Sequence, residues 1–345
     1  MTQTSHAAHI SLHPRLETAL QELGLVVTSA ELRLAAERAA MAAPVDVPVL
    51  LLGETGTGKE LFAKLVHRLS DRFPRPMITM NCAAIPESLA ESYLFGHTKD
   101  AFTGARADKL GVFGDAHGTT VFLDEIGELP IEIQPKLLRV LDYGTFTRLG
   151  STAETRVDVR VIAATNRNLE EEVTAGRFRE DLYHRLNVAC IKLPPLRTRR
   201  GDIRQLAVAF LSRINESRPT EISFSNEVLS RLENYDWPGN VRQLLHALQS
   251  AVIFATSPVL WPADIPLPAT KSRPDPFAHL PNPKEGFSLE TFLTQARKQL
   301  IVRALSQCNG SQSRAARLLG VSKQAVSNFV KGEQVKADGP LVNLD

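Results

Sequence analysis

A chain of 345 residues with 43% hydrophobic composition is long enough for two or three domains with packed cores. Its net charge of +2 excludes a protein that binds polyanions over its whole surface, so any nucleic-acid contact must be local. Three scattered cysteines (Cys82, Cys190, Cys308) without a CxxC pair argue against a disulfide framework or a metal site. No cationic start leads into a long apolar run, and no apolar stretch reaches membrane-spanning length. A cytoplasmic protein with no membrane partner is expected.

After a short segment, 1–23, strand and helix patterns alternate through 24–200. VPVLLLGETGTGKELFAKLVHRLS predicts a buried strand from Val47 to Leu52, a glycine-rich turn and a helix with apolar residues at helical spacing. GTTVFLDEIGELP and VDVRVIAATNRNL supply two more apolar strands that end in polar residues. Successive buried strands with helical crossovers predict an α/β fold, a parallel sheet covered on both faces. Ligands of such sheets sit at the carboxyl ends of the strands, where these polar motifs fall. Residues 201–262 read as a helical subdomain. Residues 263–286 are dense in proline and read as a linker. In 287–335 a helix carrying Leu289, Phe292, Leu293, Ala296, Leu300 and Ala304 on one face precedes two short helices, and 336–345 form a tail.

The turn Gly53, Glu54, Thr55, Gly56, Thr57, Gly58, Lys59, Glu60 fits the phosphate-loop pattern G-x-x-x-x-G-K between a strand and a helix. Its glycines let main-chain N–H groups face phosphates, the helix N-terminus adds its positive dipole end, and Lys59 reaches the terminal phosphates. Glu60 stands where Ser or Thr usually meets magnesium. In VFLDE, Asp124 is the candidate Mg²⁺ ligand and Glu125 the group that polarises the attacking water of ATP hydrolysis. Thr165 and Asn166 either sense the γ-phosphate or cap a helix. Arg179 and Arg185, on a predicted helix, either stabilise a transferring phosphoryl group from a neighbouring subunit or are solvated. Arg242, near the start of the helix that follows WPGN, faces a phosphate or lies on the surface.

Together, GETGTGKE, NCAAIPESLAESYLFGH, AFTGA, FLDEIGELP, FREDLYHRLNV, LPPLRTRRGDI and WPGNVRQL closely resemble the AAA+ domain of bacterial enhancer-binding proteins, the activators of RNA polymerase containing sigma-54. The resemblance covers roughly 24–262 and keeps the family's motif order. It implies a P-loop NTPase with a helical lid, ATP and Mg²⁺ as cofactors, and a hexameric ring with ATP between subunits. A Glu after the loop lysine is the family's own pattern. Asn81 matches the asparagine that holds the catalytic glutamate, here Glu125, away from water; by its own context it equally caps a turn after MITMN. Asp100, Ala101, Phe102, Thr103, Gly104 and Ala105 match the signature Gly-Ala-Phe-Thr-Gly-Ala of a loop that engages the sigma factor. An apolar aromatic there meets a partner or is buried in a tight turn. Asp in the first position departs from the family, in a place where glycine tolerates positive φ better. The stretch from Thr147 to Arg156 matches a second loop that moves with the first.

The C-terminal NGSQSRAARLLGVSKQAVSNFVKG reads as helix, turn, helix. Ala315, Ala316, Leu318 and Leu319 give an apolar face, Val321 plugs the core, Ser322 caps the second helix, and Val326 and Val330 point inward. Lys323, Gln324, Ser327 and Asn328 would face bases, with Arg314 and Arg317 nearer the backbone. Nine Lys/Arg against five Asp/Glu from Lys284 onward support DNA over a hairpin that merely packs. By resemblance this is a Fis-type domain whose first helix helps pair two copies.

The reading is a sigma-54-dependent transcriptional activator that binds upstream enhancer DNA and spends ATP in a ring to remodel the closed complex of sigma-54 RNA polymerase. Two rivals stand beside it. One is a DNA-binding regulator that does not act through sigma-54 and uses ATP only for oligomerisation; the other is a protein-remodelling ATPase. The short start leaves no room for a sensing domain, so control is expected from a separate regulatory protein, expression level or co-assembly with a paralogue.

Overall fold

The computed structural model describes residues 14–267, 287–308 and 310–334, the last five as backbone only. The linker beyond residue 267, the tail and the first thirteen residues lie outside the described residues. Two units divide the chain, 1–270 and 271–345.

In the first unit, five parallel strands form the sheet: β1 Val49–Leu52, β2 Ile78–Asn81, β3 Thr120–Asp124, β6 Arg160–Thr165 and β7 Ala189–Lys192, in the order β2-β3-β6-β1-β7. Side chains alternate between two cores, as the pleat requires. Leu50, Val121, Leu123, Val161 and Ala163 enter the core on one face; Val49, Leu51, Phe122, Ile162 and Ala164 enter the other. Helices α1 Pro14–Glu22, α2 Ala30–Ala42 and α3 Lys59–Arg68 cover the second face. The first is covered by α4 Glu87–Phe95, α5 Gly111–Asp115, α6 Gln134–Tyr143, α7 Leu169–Thr174 and α8 Glu180–Leu186. β1 begins at Val49 rather than Val47, because Val47 N–H closes a turn onto Val45 O. The pairings Leu52 with Thr165 and Asn81 with Asp124 bring the strand ends level, so the polar motifs that follow meet at one edge.

Thr147 to Arg156 spans a hairpin tip and its return strand: β4 Thr145–Thr147 pairs antiparallel with β5 Glu154–Arg156. The lid comprises α9 Arg200–Asn215, α10 Asn226–Asn234 and α11 Asn240–Ile253. It is not helical throughout, since β8 Ser223–Phe224 and β9 Val259–Leu260 pair in parallel. Fully buried Trp237 centres its core and donates Nε1–H to Leu232 O at 2.8 Å.

The second unit holds α12 Leu289–Gln307, α13 Gln312–Leu318 and α14 Lys323–Gln334. Its core is small: Ile301, Ala316 and Val326, with Leu305, Leu319 and Phe329 against them. The packed face of α12 therefore passes through Ile301 and Ala304, whereas Leu289, Leu293 and Leu300 of the expected apolar stripe are exposed. Val321 and Leu318 are likewise exposed rather than buried, because the alanine face of α13 already fills a core this small. Ser322 does accept from Ala325 N–H, 3.3 Å; the side chain of Val330 lies outside the described residues. Among the described residues no helix is long and apolar enough to cross a membrane.

Candidate nucleotide site and contact loops

The loop from Gly53 to Lys59 joins β1 to α3. Gly53 N–H donates to Thr165 O (3.2 Å), which ties the loop to β6. Gly56 and Gly58 have φ of 80° and 106°, which side chains rarely adopt. A Cβ on Gly56 would also run into the carbonyl oxygen of Gly239 in the lid. Lys59 is buried; its Nζ donates to Gly53 O at 2.9 Å and stands 3.6 Å from Glu125 Oε1. Glu60 lines the same cavity as Lys59, but its carboxylate, like that of Glu54, is paired with another side chain. Glu54 binds Arg197 at 2.6 Å and Asn240 at 3.1 Å, and Arg197 holds its carboxyl below the usual range. Glu60 pairs with Lys64 on the surface of α3, 2.7 Å.

Asp124 ends β3 and accepts from Glu125 N–H at 3.0 Å. Burial, and next the Glu125 charge, push its carboxyl up. Glu125 takes a left-handed φ of 52°. Its Oε1 faces Lys59, and its Oε2 accepts from Asn166 N–H, 3.2 Å. Asn166 Nδ2 reaches Thr55 Oγ1 at 2.9 Å, so this residue links β6 to the loop and caps no helix; Asn168 caps α7. Thr165 is buried and its hydroxyl accepts from Arg167 N–H. Asn81 Oδ1 accepts from Ala83 N–H at 2.9 Å, the turn cap that its context allowed. The side-chain partners of Glu125 are instead Lys59 and the Asn166 main chain.

Thr55, Gly56, Gly58, Lys59, Asn81, Asp124, Glu125 and Arg242 line one cavity of about 460 Å³ with Phe210, Arg213 and His246 of the lid. Arg242 is the third residue of α11, and its N–H approaches Gly56 O, 3.4 Å. Arg179 and Arg185 lie outside this cavity. Arg179 is the N-cap residue of α8 rather than part of the helix and pairs with Asp181; Arg185 pairs with Asp142 at 2.9 Å. The cavity fits a triphosphate: a buried ammonium, glycine main chain and a helix N-terminus face one space. It also fits a divalent cation that shares its ligands with phosphate and water. The described residues hold no cluster of three metal-binding side chains, and Mg²⁺ asks for only one or two carboxylates. Sequence reading assigned no separate role to Arg197, Arg199, Asp202 and Asn240. The signal of the first three was the arginine density of LRTRRGD and that of Asn240 its place in WPGNVRQL; apart from the Arg199–Asp202 pair, their partners stand far away in the chain.

In the Phe102 loop, Asp100 N–H donates to Ala105 O (2.9 Å) and Ala105 N–H to Phe102 O (3.0 Å). Asp100 has a φ of 64°, so it occupies the left-handed geometry that glycine would take freely. Phe102 is 39% exposed and rests edge-on against His97, ring centroids 5.0 Å apart; Thr103 and Gly104 are exposed, whereas Ala101 is half-buried and Ala105 buried. Thr98 N–H donates to Leu149 O and Leu149 N–H to Gly96 O, both 3.0 Å, so the β4–β5 tip is stitched to the base of this loop. In α14, Lys323, Gln324 and Asn328 are exposed and Ser327 half-buried; Arg314 and Arg317 are exposed on α13.

The five-stranded parallel sheet, phosphate loop, acidic strand end and helical lid define an AAA+ ATPase domain. Residues 25–192 match the family described as Sigma-54 interaction domain, 197–279 the AAA+ ATPase lid domain, and 292–327 the Bacterial regulatory protein, Fis family. The transcriptional regulatory protein ZraR of Klebsiella oxytoca is 42% identical over 94% of this chain and 73% of its own. The Nif-specific regulatory protein of Azotobacter vinelandii is 44% identical over 81% of this chain and 53% of its own. NtrX from Brucella abortus, solved in complex with ATP, superposes with a TM-score of 0.64 at 30% identity, over 92% of this chain and 72% of its own. The chain belongs to the sigma-54-dependent transcriptional regulators, AAA+ ATPases joined to a Fis-type helix-turn-helix domain.

Proposed function

We propose that this protein binds ATP with Mg²⁺ in the cavity above the sheet and uses its hydrolysis to press the Phe102 loop against sigma-54 in the RNA polymerase closed complex, while the Fis-type domain holds enhancer DNA. In this reading the domains run 24–200 and 201–262 for the ATPase and its lid, 263–286 for the linker and 287–335 for the DNA-binding domain. Lys59 neutralises the terminal phosphates, and the main chain of Gly53 to Gly58 cradles them. Asp124 holds the cation, whose chemistry is to neutralise charge on the transferring phosphoryl group. Glu125 takes a proton from the attacking water, and Asn166 fixes its carboxylate through the main-chain N–H. Asn81, one strand away, holds Glu125 away from water in one nucleotide state and releases it when that state changes. Arg179 and Arg185 sit outside the cavity of their own chain, which supports action in trans within a ring, taken as a hexamer, of identical subunits or with a paralogue. Control of assembly in the cytoplasm falls to a separate regulatory protein, to expression level or to co-assembly with a paralogue. On DNA, Lys323, Gln324, Ser327 and Asn328 read bases with Ser322 at the helix start, Arg314 and Arg317 contact phosphates, and Leu293 and Leu300 pair two copies.

The observation that carries the reading is Phe102: an aromatic ring 39% exposed on a hydrogen-bonded turn, whose base is stitched to a hairpin of the same ATPase domain. Transcription in vitro from a sigma-54 promoter tests it. Open complexes, scored before RNA synthesis uses ATP as a substrate, should require both this protein and hydrolysable ATP, and equal yield of open complexes without ATP would refute the coupling.

A further inference from the structure

Arg199 is the N-cap residue of α9 and Asp202 lies in its first turn, where the chain enters the lid, and both are buried, at 4% and 0% exposure. Arg199 Nη1 stands 3.5 Å from Asp202 Oδ2, and its Nη2 donates to Thr57 O in the phosphate loop at 3.1 Å. Asp202 is held from the other side by the residues that open α2. Its Oδ1 accepts from Ser29 N–H (2.7 Å), Thr28 N–H (3.2 Å) and the Thr28 hydroxyl, and its Oδ2 accepts from the Ser29 hydroxyl at 3.0 Å. Three segments remote in sequence thus converge on one buried ion pair.

The consequence follows from the planar trans peptide, in which the C=O of one residue and the N–H of the next point in opposite directions. A guanidinium that holds Thr57 O on the lid side turns Gly58 N–H the other way, toward the cavity. Among the described residues that N–H donates to no protein acceptor. A Cβ on Gly58 would meet nothing within 4 Å, so glycine is needed there for its φ of 106° and not for space. We propose that Arg199 is a positioning residue: anchored by Asp202 and through it by Thr28 and Ser29, it sets the Thr57–Gly58 peptide so that Gly58 N–H faces phosphate. A buried ion pair contributes little net stability, which suits a role in geometry. The inference rests on the reading of the loop as the nucleotide site.

The full chain with Arg199→Lys tests it. Lysine keeps the charge beside Asp202 but lacks the planar fork that serves two acceptors at once. Titration with Mg·ATP should show affinity reduced about tenfold or more, the scale of a charge-assisted hydrogen bond. KM for ATP should rise more than kcat falls, at near wild-type thermal stability, whereas a merely structural role would move the melting temperature instead. Should the lysine variant not fold, Asp202→Asn keeps the shape and a side-chain oxygen that accepts from Thr28 and Ser29 N–H, and should show the same KM rise beside a lower melting temperature from the unpaired guanidinium. Wild-type affinity in the folded variant overturns the proposal. Lys59→Ala runs alongside: if it too binds Mg·ATP normally, the site reading itself fails; if it alone loses binding, only the role of Arg199 falls.

Discussion

The two glycine loops of the ATPase unit are built oppositely. Between β1 and α3, Gly56 is walled in by the lid, and its carbonyl oxygen accepts from Val241 and Arg242 N–H. Between Asp100 and Ala105, Gly104 has a similar left-handed φ of 108°, yet a Cβ there would meet nothing within 4 Å. Glycine serves the first loop for close approach and for φ, and the second for φ alone. One loop is held by the strands and the lid. The other is held mainly by its own turn and by His97, and keeps an aromatic face in solvent. A site for chemistry requires fixed geometry, whereas a contact surface requires an exposed and adaptable one.

The strongest way to test that division is Glu125→Gln. Hydrolysis should fall by about 10²–10⁴-fold, the usual scale for a lost general base, while Mg·ATP still binds. Hydrolysis near the wild-type rate would remove Glu125 from the chemistry. Next, Gly56→Ala forces a methyl against the Gly239 carbonyl and should cost about 1–3 kcal/mol of stability, as overpacking does, and lower ATP affinity with it. Gly104→Ala should leave ATP binding untouched. Equal losses of affinity in both variants would erase the contrast drawn between the loops.

A smaller effect concerns Asp124. Its folded carboxyl titrates above the unfolded value, so the stability it allows is fully present below the unfolded pKa, about 4, and is lost as pH rises through the folded pKa. Asp124→Asn should therefore melt higher than the wild type at pH 7 without Mg²⁺. The difference should vanish below about pH 4. A melting curve that ignores pH across this window would show that the carboxyl is not strained.

Much of this was legible in the chain itself. Apolar runs at Val49–Leu52, Thr120–Asp124 and Arg160–Thr165 fix buried parallel strands; Asp124 at the end of one lines the cavity, and Thr165 O at the end of another accepts from Gly53 N–H. The order β2-β3-β6-β1-β7 was not legible, because equivalent apolar strands carry no label for their neighbours. Nor was the clasp of Glu54 by Arg197 and Asn240, or of Asp202 by Ser29, since partners more than 140 residues apart leave no periodicity. For a related reason the apolar stripe of α12 was legible while its cover was not. An apolar stripe shows that something is to be covered, but not whether the same chain covers it. Asp100 was flagged as a departure, and its φ of 64° explains how the turn survives without glycine.

The central claim is that hydrolysis at one loop is spent through the other, and Phe102→Ala addresses it most directly when ATP turnover and open-complex formation at a sigma-54 promoter are measured in the same reaction. The account predicts wild-type hydrolysis with open complexes abolished. Open complexes formed at the wild-type rate by this variant would contradict it.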